Sequence, residues 1–309
     1  MEKKFILGVD LGATNLRVAL FDLGCGIKKK DSFSTVDFRN KEDLIRAIVC
    51  GANSIIERSG LERKNILGLG LGVPGPVDVK KGIIHFLPNI PGWRQVRIKK
   101  ILQERLGMPV SLDNDAKLMC LAEYKLGQAR GFKNALCLTL GTGVGGGLVL
   151  GGRLYRGADN AAGEIGHIPI NGKGPRCNCG GIACLESYIG NHRIMHRAAG
   201  VFKRRISLEE LSALAKKQNK KALRIWREAA GNLGIALSGV VNLLNLDAIV
   251  IGGGVSASGR ILFDTVRQTI KRRAMSVQAK RVKVFKTKLG NDAGLIGAAI
   301  LVKEGRNIL

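Results

Sequence analysis

An α/β fold is what this sequence predicts, on three observations: apolar strand-like runs end in glycine turns, helical runs follow several of them, and the pattern restarts at Asn134. FILGVD runs through LGATN into LRVALFD, a hairpin. DLIRAIVCGANSIIERSG carries apolar residues at helical spacing, and NILGLGLGVPG is a buried strand that stops in a proline turn. RIKKILQERLG reads as a helix, PVSLDND as a strand, and DAKLMCLAEYKLG as a helix opened by its own acidic N-terminus. In the second half NALCLTLGTG and VGGGLVLGG form another glycine hairpin. Three or four helices follow a cysteine cluster, the longest being KALRIWREAAGNLGIALSGVVNLLN; then come the strand DAIVIGGG, the helix ILFDTVRQTIKRR, the strand VKVFKT and the helix NDAGLIGAAILVKEG. The two hairpins can be laid over each other, LGAT at 11–14 over LGTG at 140–143, which points to a duplicated unit.

At 309 residues and 45% apolar composition the chain suits one large or two ordinary domains with real cores. The apolar run after Lys4 ends at Asp10, too short for a signal peptide or a membrane span, so a cytoplasmic protein with no membrane partner is expected. The formal net charge of +26 raises a polyanion partner. The cations are dispersed over predicted helix and strand faces and aromatics make up only 5%, so nucleic-acid binding is disfavoured against a solvated basic surface.

Three stretches match a dinucleotide-type glycine spacing. GLGVPG (70–75) is followed by Pro76 rather than a helix, and GTGVGG (141–146) runs into a strand. GGGVSA (252–257) has strand before and helix after, yet near position 272 it offers Lys271, Arg272 and Arg273 in place of an acid for a ribose hydroxyl. Nicotinamide chemistry and P-loop chemistry are both disfavoured. Two hairpin turns remain whose glycines free backbone N–H groups for phosphate oxygens, with Asp10 at the first turn placed to reach magnesium through water.

Residues 166–186 hold His167, Cys177, Cys179, Cys184 and Glu186, and the remaining cysteines, 25, 50, 120 and 137, stand singly. In a reducing compartment this favours a metal over disulfides. Three thiolates and one imidazole complete a tetrahedral set with no position for water, the mark of a structural zinc. Asp115 ends a strand and opens a helix; taken alone it reads equally as a base held at a cleft edge or as part of a helix cap shared with Asp113 or Asn114.

In their order along nearly the whole chain, GVDLGATNLRVALFD, LGVPGPVD, LPNIPGW, LDNDA, LTLGTGVGGGLVLGGRLYRGADNAAGEIGHIPI, CNCGGIACLE and IVIGGGVS resemble the ROK (repressor, open reading frame, kinase) sugar kinases. The departures are Ala13 and Ala183, where the family often has Gly, and Lys117, where Asn is frequent. The resemblance implies a two-domain actin-like/hexokinase-like (ribonuclease H-like) α/β fold with an interdomain cleft, residues 1–115 plus 297–309 forming a small domain and 116–296 a large one. It implies transfer of the γ-phosphoryl of MgATP to O6 of an aldohexose, with Asp115 as base. Gly75, Asn89, Asn114, Glu164, His167 and Glu186 would hold the sugar. Asp10, Gly12, Thr14, Asn15, Gly141, Thr142, Gly143, Gly253 and Gly254 would hold ATP and magnesium. His167, Cys177, Cys179 and Cys184 match the family's zinc motif, and homodimers or homotetramers are usual. GEIGH implies a glucokinase-like or N-acetylglucosamine-kinase-like pocket and LPNIPGWR favours glucose; N-acetylglucosamine, mannose, fructose or allose are alternative acceptors and inorganic polyphosphate an alternative donor. A sugar-responsive repressor is disfavoured, since no helix-turn-helix extension precedes the first strand.

Overall fold

The computed structural model describes residues 4–12, 14–35, 38–87 and 92–305; Ala13 and Asn89 lie outside them. In chain order the elements are β1 (Phe5–Leu11), β2 (Asn15–Asp22), β3 (Ile27–Ser34), α1 (Lys41–Glu57), β4 (Ile66–Val73), β5 (Val77–Asp78), β6 (Ile83–Phe86), β7 (Arg94–Val96), α2 (Ile98–Leu106), β8 (Val110–Asn114) and α3 (Asp115–Leu126). There follow β9 (Ala135–Leu140), β10 (Val144–Leu150), β11 (Arg153–Tyr155), α4 (Glu186–Ile189), α5 (Asn191–Phe202), α6 (Leu208–Lys216), α7 (Lys220–Leu244), β12 (Ala248–Gly252), α8 (Arg260–Arg273), α9 (Ser276–Arg281), β13 (Lys283–Lys286) and α10 (Ala293–Glu304). No helix among the described residues is long and apolar enough to cross a membrane.

The chain resolves into two compact units, 1–122 with 156–162 and 292–309, and 123–155 with 163–291. The first unit's sheet runs β3-β2-β1-β4-β8, and the second's runs β11-β10-β9-β12-β13. Each is an antiparallel meander of three strands extended by two parallel ones, so the duplication suggested by the two hairpins extends to the whole sheet. The boundary expected after residue 115 falls instead inside α3, between Ala122 and Glu123. Packing explains the shift: Leu118, in the first turns of α3, closes on Gly72 of β4 and Gly297 of α10. Helix α10 belongs to the first unit along its whole length, not from residue 297.

The first core is formed by the apolar sides of β1, β2, β4 and β8 with α1, α2 and Trp93. Strand β4, ILGLGLGV, is buried along its length. Its glycine spacing serves packing rather than a nucleotide: a Cβ on Gly70 would lie 1.9 Å from the Ala298 carbonyl oxygen, so only glycine lets α10 sit so close. The second core gathers β9, β12 and helices α5 to α8 around the buried Trp226. Several elements have no counterpart in the sequence reading, among them the short β11 and α9. Strand β3, IKKKDSFS, is an edge strand with no buried residue, and a three-stranded sheet, β5-β6-β7, lies between β4 and α2 in the chain.

Candidate active site and metal centre

In the first unit, parallel strands β1, β4 and β8 bring their C-terminal ends together, with Asp10 opposite Gly72 and Gly72 opposite Asp113. Such carboxyl ends are where open α/β sheets present ligand-binding groups. Asp113 is 1% exposed and its Oδ2 accepts from Arg156 Nε at 2.9 Å and Nη2 at 2.7 Å. Its other oxygen accepts the Asn114 N–H at 2.8 Å. Asn114 Oδ1 accepts from the N–H groups of Ala116 at 3.0 Å and Lys117 at 3.2 Å, while its Nδ2 donates to the Gly75 carbonyl at 3.2 Å. Asn114 is thus the helix cap of α3, and Gly75, at φ +84°, is tied to it. Asp115 stands half-buried at the first helical position, with Oδ1 2.8 Å from the Ala116 nitrogen. The Ala116 N–H is thus shared between Asn114 and Asp115, and Asn114 alone extends the cap to Lys117. Lys117 is 2% exposed and donates to the Asn160 carbonyl, so Arg156 and Lys117 together fasten segment 156–162 beneath the Asp113-Asn114-Asp115 corner.

At the first glycine turn, the Gly12 N–H donates to the Asn15 carbonyl at 2.8 Å and Asn15 Nδ2 to Thr14 Oγ1 at 3.0 Å. Asp10, 5% exposed, accepts from Arg17 on the returning strand. Burial pushes its carboxyl above the ordinary range, and the Arg17 guanidinium opposes that shift. Asp10 is consequently an oriented carboxylate with one oxygen already engaged.

In the second unit the other two glycine turns lie side by side, because Thr139 at the end of β9 pairs with Gly252 at the end of β12. Gly253, at φ +82°, passes so close to Leu140 that a Cβ would meet its backbone oxygen at 2.3 Å. The Gly141 N–H donates to the Gly143 carbonyl at 2.9 Å, and the Gly141 carbonyl accepts from the N–H of Asn191, the first residue of α5, at 2.9 Å. Thr142 is exposed at the turn, and Gly254 opens a short 3-10 turn that follows β12.

Glu186 reaches this turn as well. Its Oε2 accepts the Val144 N–H at 2.9 Å, and a Cβ on Gly143 would lie 2.5 Å from the same oxygen. Glu164 immediately precedes a 3-10 turn, Ile165–His167, that packs on β10, so Glu164, His167 and Glu186 gather near the start of that strand. Sequence reasoning gave Glu186 to the sugar and did not see its bond to the glycine turn. It also passed over Arg156, whose signal was a buried aspartate at 113 in need of a counter-charge.

The ligand atoms of His167, Cys177, Cys179 and Cys184 all lie within 4.8 Å of one another. His167 Nδ1 is 3.7 Å from Cys177 Sγ, and Cys179 Sγ is 3.7 Å from Cys184 Sγ. A tetrahedron with Zn–S bonds of about 2.3 Å has edges of about 3.7 Å, so the donor set and its spacing fit zinc. Burial pushes the Cys184 thiol up to about 12, while the Gly181 N–H holds Cys179 below its ordinary value. Ala183, at φ +56°, keeps the left-handed turn that glycine would make with less strain, and the four donors still hold this spacing.

The profile of the ROK family matches residues 6–305. This chain belongs to the ROK family. Among ROK relatives it is 35% identical over 318 residues to a glucokinase of Thermotoga maritima, covering 98% of this chain and 99% of that one. The crystal structure of a ROK hexokinase from Thermus thermophilus is 33% identical with a TM-score of 0.83, covering 99% and 100% of the two chains. That of a ROK family glucokinase from Streptomyces griseus in complex with glucose and AMPPNP is 30% identical with a TM-score of 0.85, covering 97% and 100%. The fold is accordingly the two-domain actin-like/hexokinase-like fold of ROK sugar kinases, and its duplicated sheets are the two domains' frameworks.

Proposed function

We propose that this protein transfers the γ-phosphoryl group of MgATP to O6 of glucose, giving glucose 6-phosphate. The observation that carries the reading is the full-length similarity to glucokinases at 35% identity, joined to the carboxylate of Asp115 at the first position of α3, beside the capping Asn114. A sugar hydroxyl is a weak nucleophile, and Asp115 accepts its proton as the P–O bond forms. Asn114, held between Gly75 and the first turn of α3, presents a fixed amide beside that base. The family resemblance assigns Asn114, Glu164, His167 and Glu186 to the sugar hydroxyls, and Gly75 and Asn89 to the same substrate.

Thr14 and Asn15 at one turn, and Thr142 and Gly143 at the other, present N–H and hydroxyl groups to the phosphates, while Gly12 and Gly141, whose own N–H groups close the turns, let the backbone approach. Gly253 and Gly254 take the adenosine side. Asp10, oriented by Arg17, would hold magnesium through water, and the ion would supply neutralisation of charge on the phosphate oxygens. A structural zinc on His167, Cys177, Cys179 and Cys184 leaves His167 Nε2 for a sugar hydroxyl, because Nδ1 faces the sulfurs. A coupled assay of ADP release over a panel of hexoses tests the reading: glucose should be the preferred acceptor, and absence of ATP-dependent turnover on any hexose would refute it.

A further inference from the structure

Away from the groups assigned above, a groove of about 550 Å³ opens between α5 and α7. Its apolar lining, the floor, is the exposed Gly200, the half-buried Val201 and the buried Ile225; its charged lining, the rim, is His196, Arg197, Lys221 and Arg224. The volume lies in the range of small-molecule sites. A Cβ on Gly200 would meet no atom within 4 Å, so the last turn of α5 leaves open space at this exposed position.

The rim is built as well as charged. Glu228 holds both guanidinium groups, one on each carboxylate oxygen: Arg197 from α5 on Oε2, and Arg224 Nε from the preceding turn of α7 on Oε1 at 3.1 Å. Each guanidinium has five donor hydrogens, so most remain for a ligand. Lys221 is not balanced by any acid in the first turn of α7, where the helix dipole adds to its charge. Over residues 191–228 the chain carries eleven Lys and Arg against three Glu. Apolar floor and cationic rim together select an anion with an organic body.

We propose that this groove binds a phosphate monoester, with the phosphate on Arg197, Arg224 and Lys221 and the organic part over Val201 and Ile225. Bidentate arginine contacts suit phosphate geometry, and the Gly200 gap gives the body room to lie against the floor. The site lies on the helix whose first N–H is bonded to Gly141, which gives an occupied groove a physical link to a glycine turn.

The His196 ring reports the groove directly. Its imidazole resonances, in full-length protein, should shift saturably on titration with glucose 6-phosphate or AMP, at least threefold more tightly than with inorganic phosphate, which lacks a body for the floor. Arg197→Ala/Arg224→Ala should weaken monoester binding about tenfold or more. Gly200→Leu, which fills the floor without changing charge, should abolish the shift while leaving the fold intact. Basal ATP-dependent turnover should stay as in the wild type in both variants. His196 resonances unmoved by either monoester, or moved equally in the variants, would overturn the proposal. Equal affinity for inorganic phosphate would overturn the role of the floor. These readouts do not depend on which hexose is phosphorylated, so the groove and the activity fail separately.

Discussion

Asn114 and Asp115 are adjacent, yet their chemistry divides cleanly. Asn114 spends its side-chain oxygen on two helix N–H groups and its amide on Gly75, Asp113 is held by Arg156, and Asp115 is the corner carboxylate proposed as the base. Asp115→Asn should therefore lower kcat by about 10²–10⁴-fold with little change in thermal stability, read by steady-state kinetics and a melting curve. Near-normal turnover in that variant would remove Asp115 as the base. Asp247 supports the second unit instead. Burial raises its carboxyl, but Arg281 and the two Asn134 N–H donors outweigh that and hold it below the ordinary 3.8. A carboxylate depressed by folding contributes stability that is complete above the unfolded value and is lost as pH falls through the folded one. Wild-type stability should fall more steeply below pH about 4 than that of Asp247→Asn, as acid titration followed by circular dichroism would show.

Among the elements, α3 and the segment after β13 are joined by one buried carboxylate. Glu123 is 0% exposed and accepts from Gln128 N, Thr287 Oγ1, Lys288 N and Leu289 N. Glu123→Ala orphans these donors and should cost about 2–4 kcal/mol in denaturant unfolding, whereas a surface glutamate such as Glu104 should cost under about 0.5 kcal/mol. The metal loop couples two functions in a similar way, since the stretch that carries the thiols also carries Glu186, and Glu186 fixes the Val144 N–H. Zinc removal should raise the KM for sugar and for ATP together, each by about tenfold. Unchanged constants in folded, verified zinc-free protein would break that link.

Much of this was legible in the sequence because it depends on local spacing: four metal donors within one loop, a strand that ends at Asn114 with a helix beginning at Asp115, and glycine hairpins at 11–14 and 140–143. What escaped depends on tertiary pairing. Strand β3 is Lys-rich and earns its place by backbone bonds to β2, so it shows no apolar period, and charge on an edge is what keeps such a strand from pairing further. The bonds from Glu186 to Val144 and from Arg156 to Asp113 link residues 42 and 43 positions apart, which no motif spacing reveals.

At the scale of the whole molecule, one sheet plan occurs twice, and each copy carries its glycine turn at the joint between the first two strands of its meander. The two copies differ in what surrounds the turns: the first carries the β8–α3 corner, and the second carries the loop with the four metal donors. The basic surface does not alter this framework: its charges ride on exposed faces, and their pairs, such as Arg105 with Glu42, lie at the solvent. The most direct test is steady-state phosphorylation by the purified protein with MgATP across glucose, mannose, fructose, allose and N-acetylglucosamine, with the product's phosphate position read by nuclear magnetic resonance. The expected result is the highest kcat/KM for glucose and a single product phosphorylated at O6. No ATP-dependent turnover, or a clear preference for another acceptor or another hydroxyl, would contradict the account.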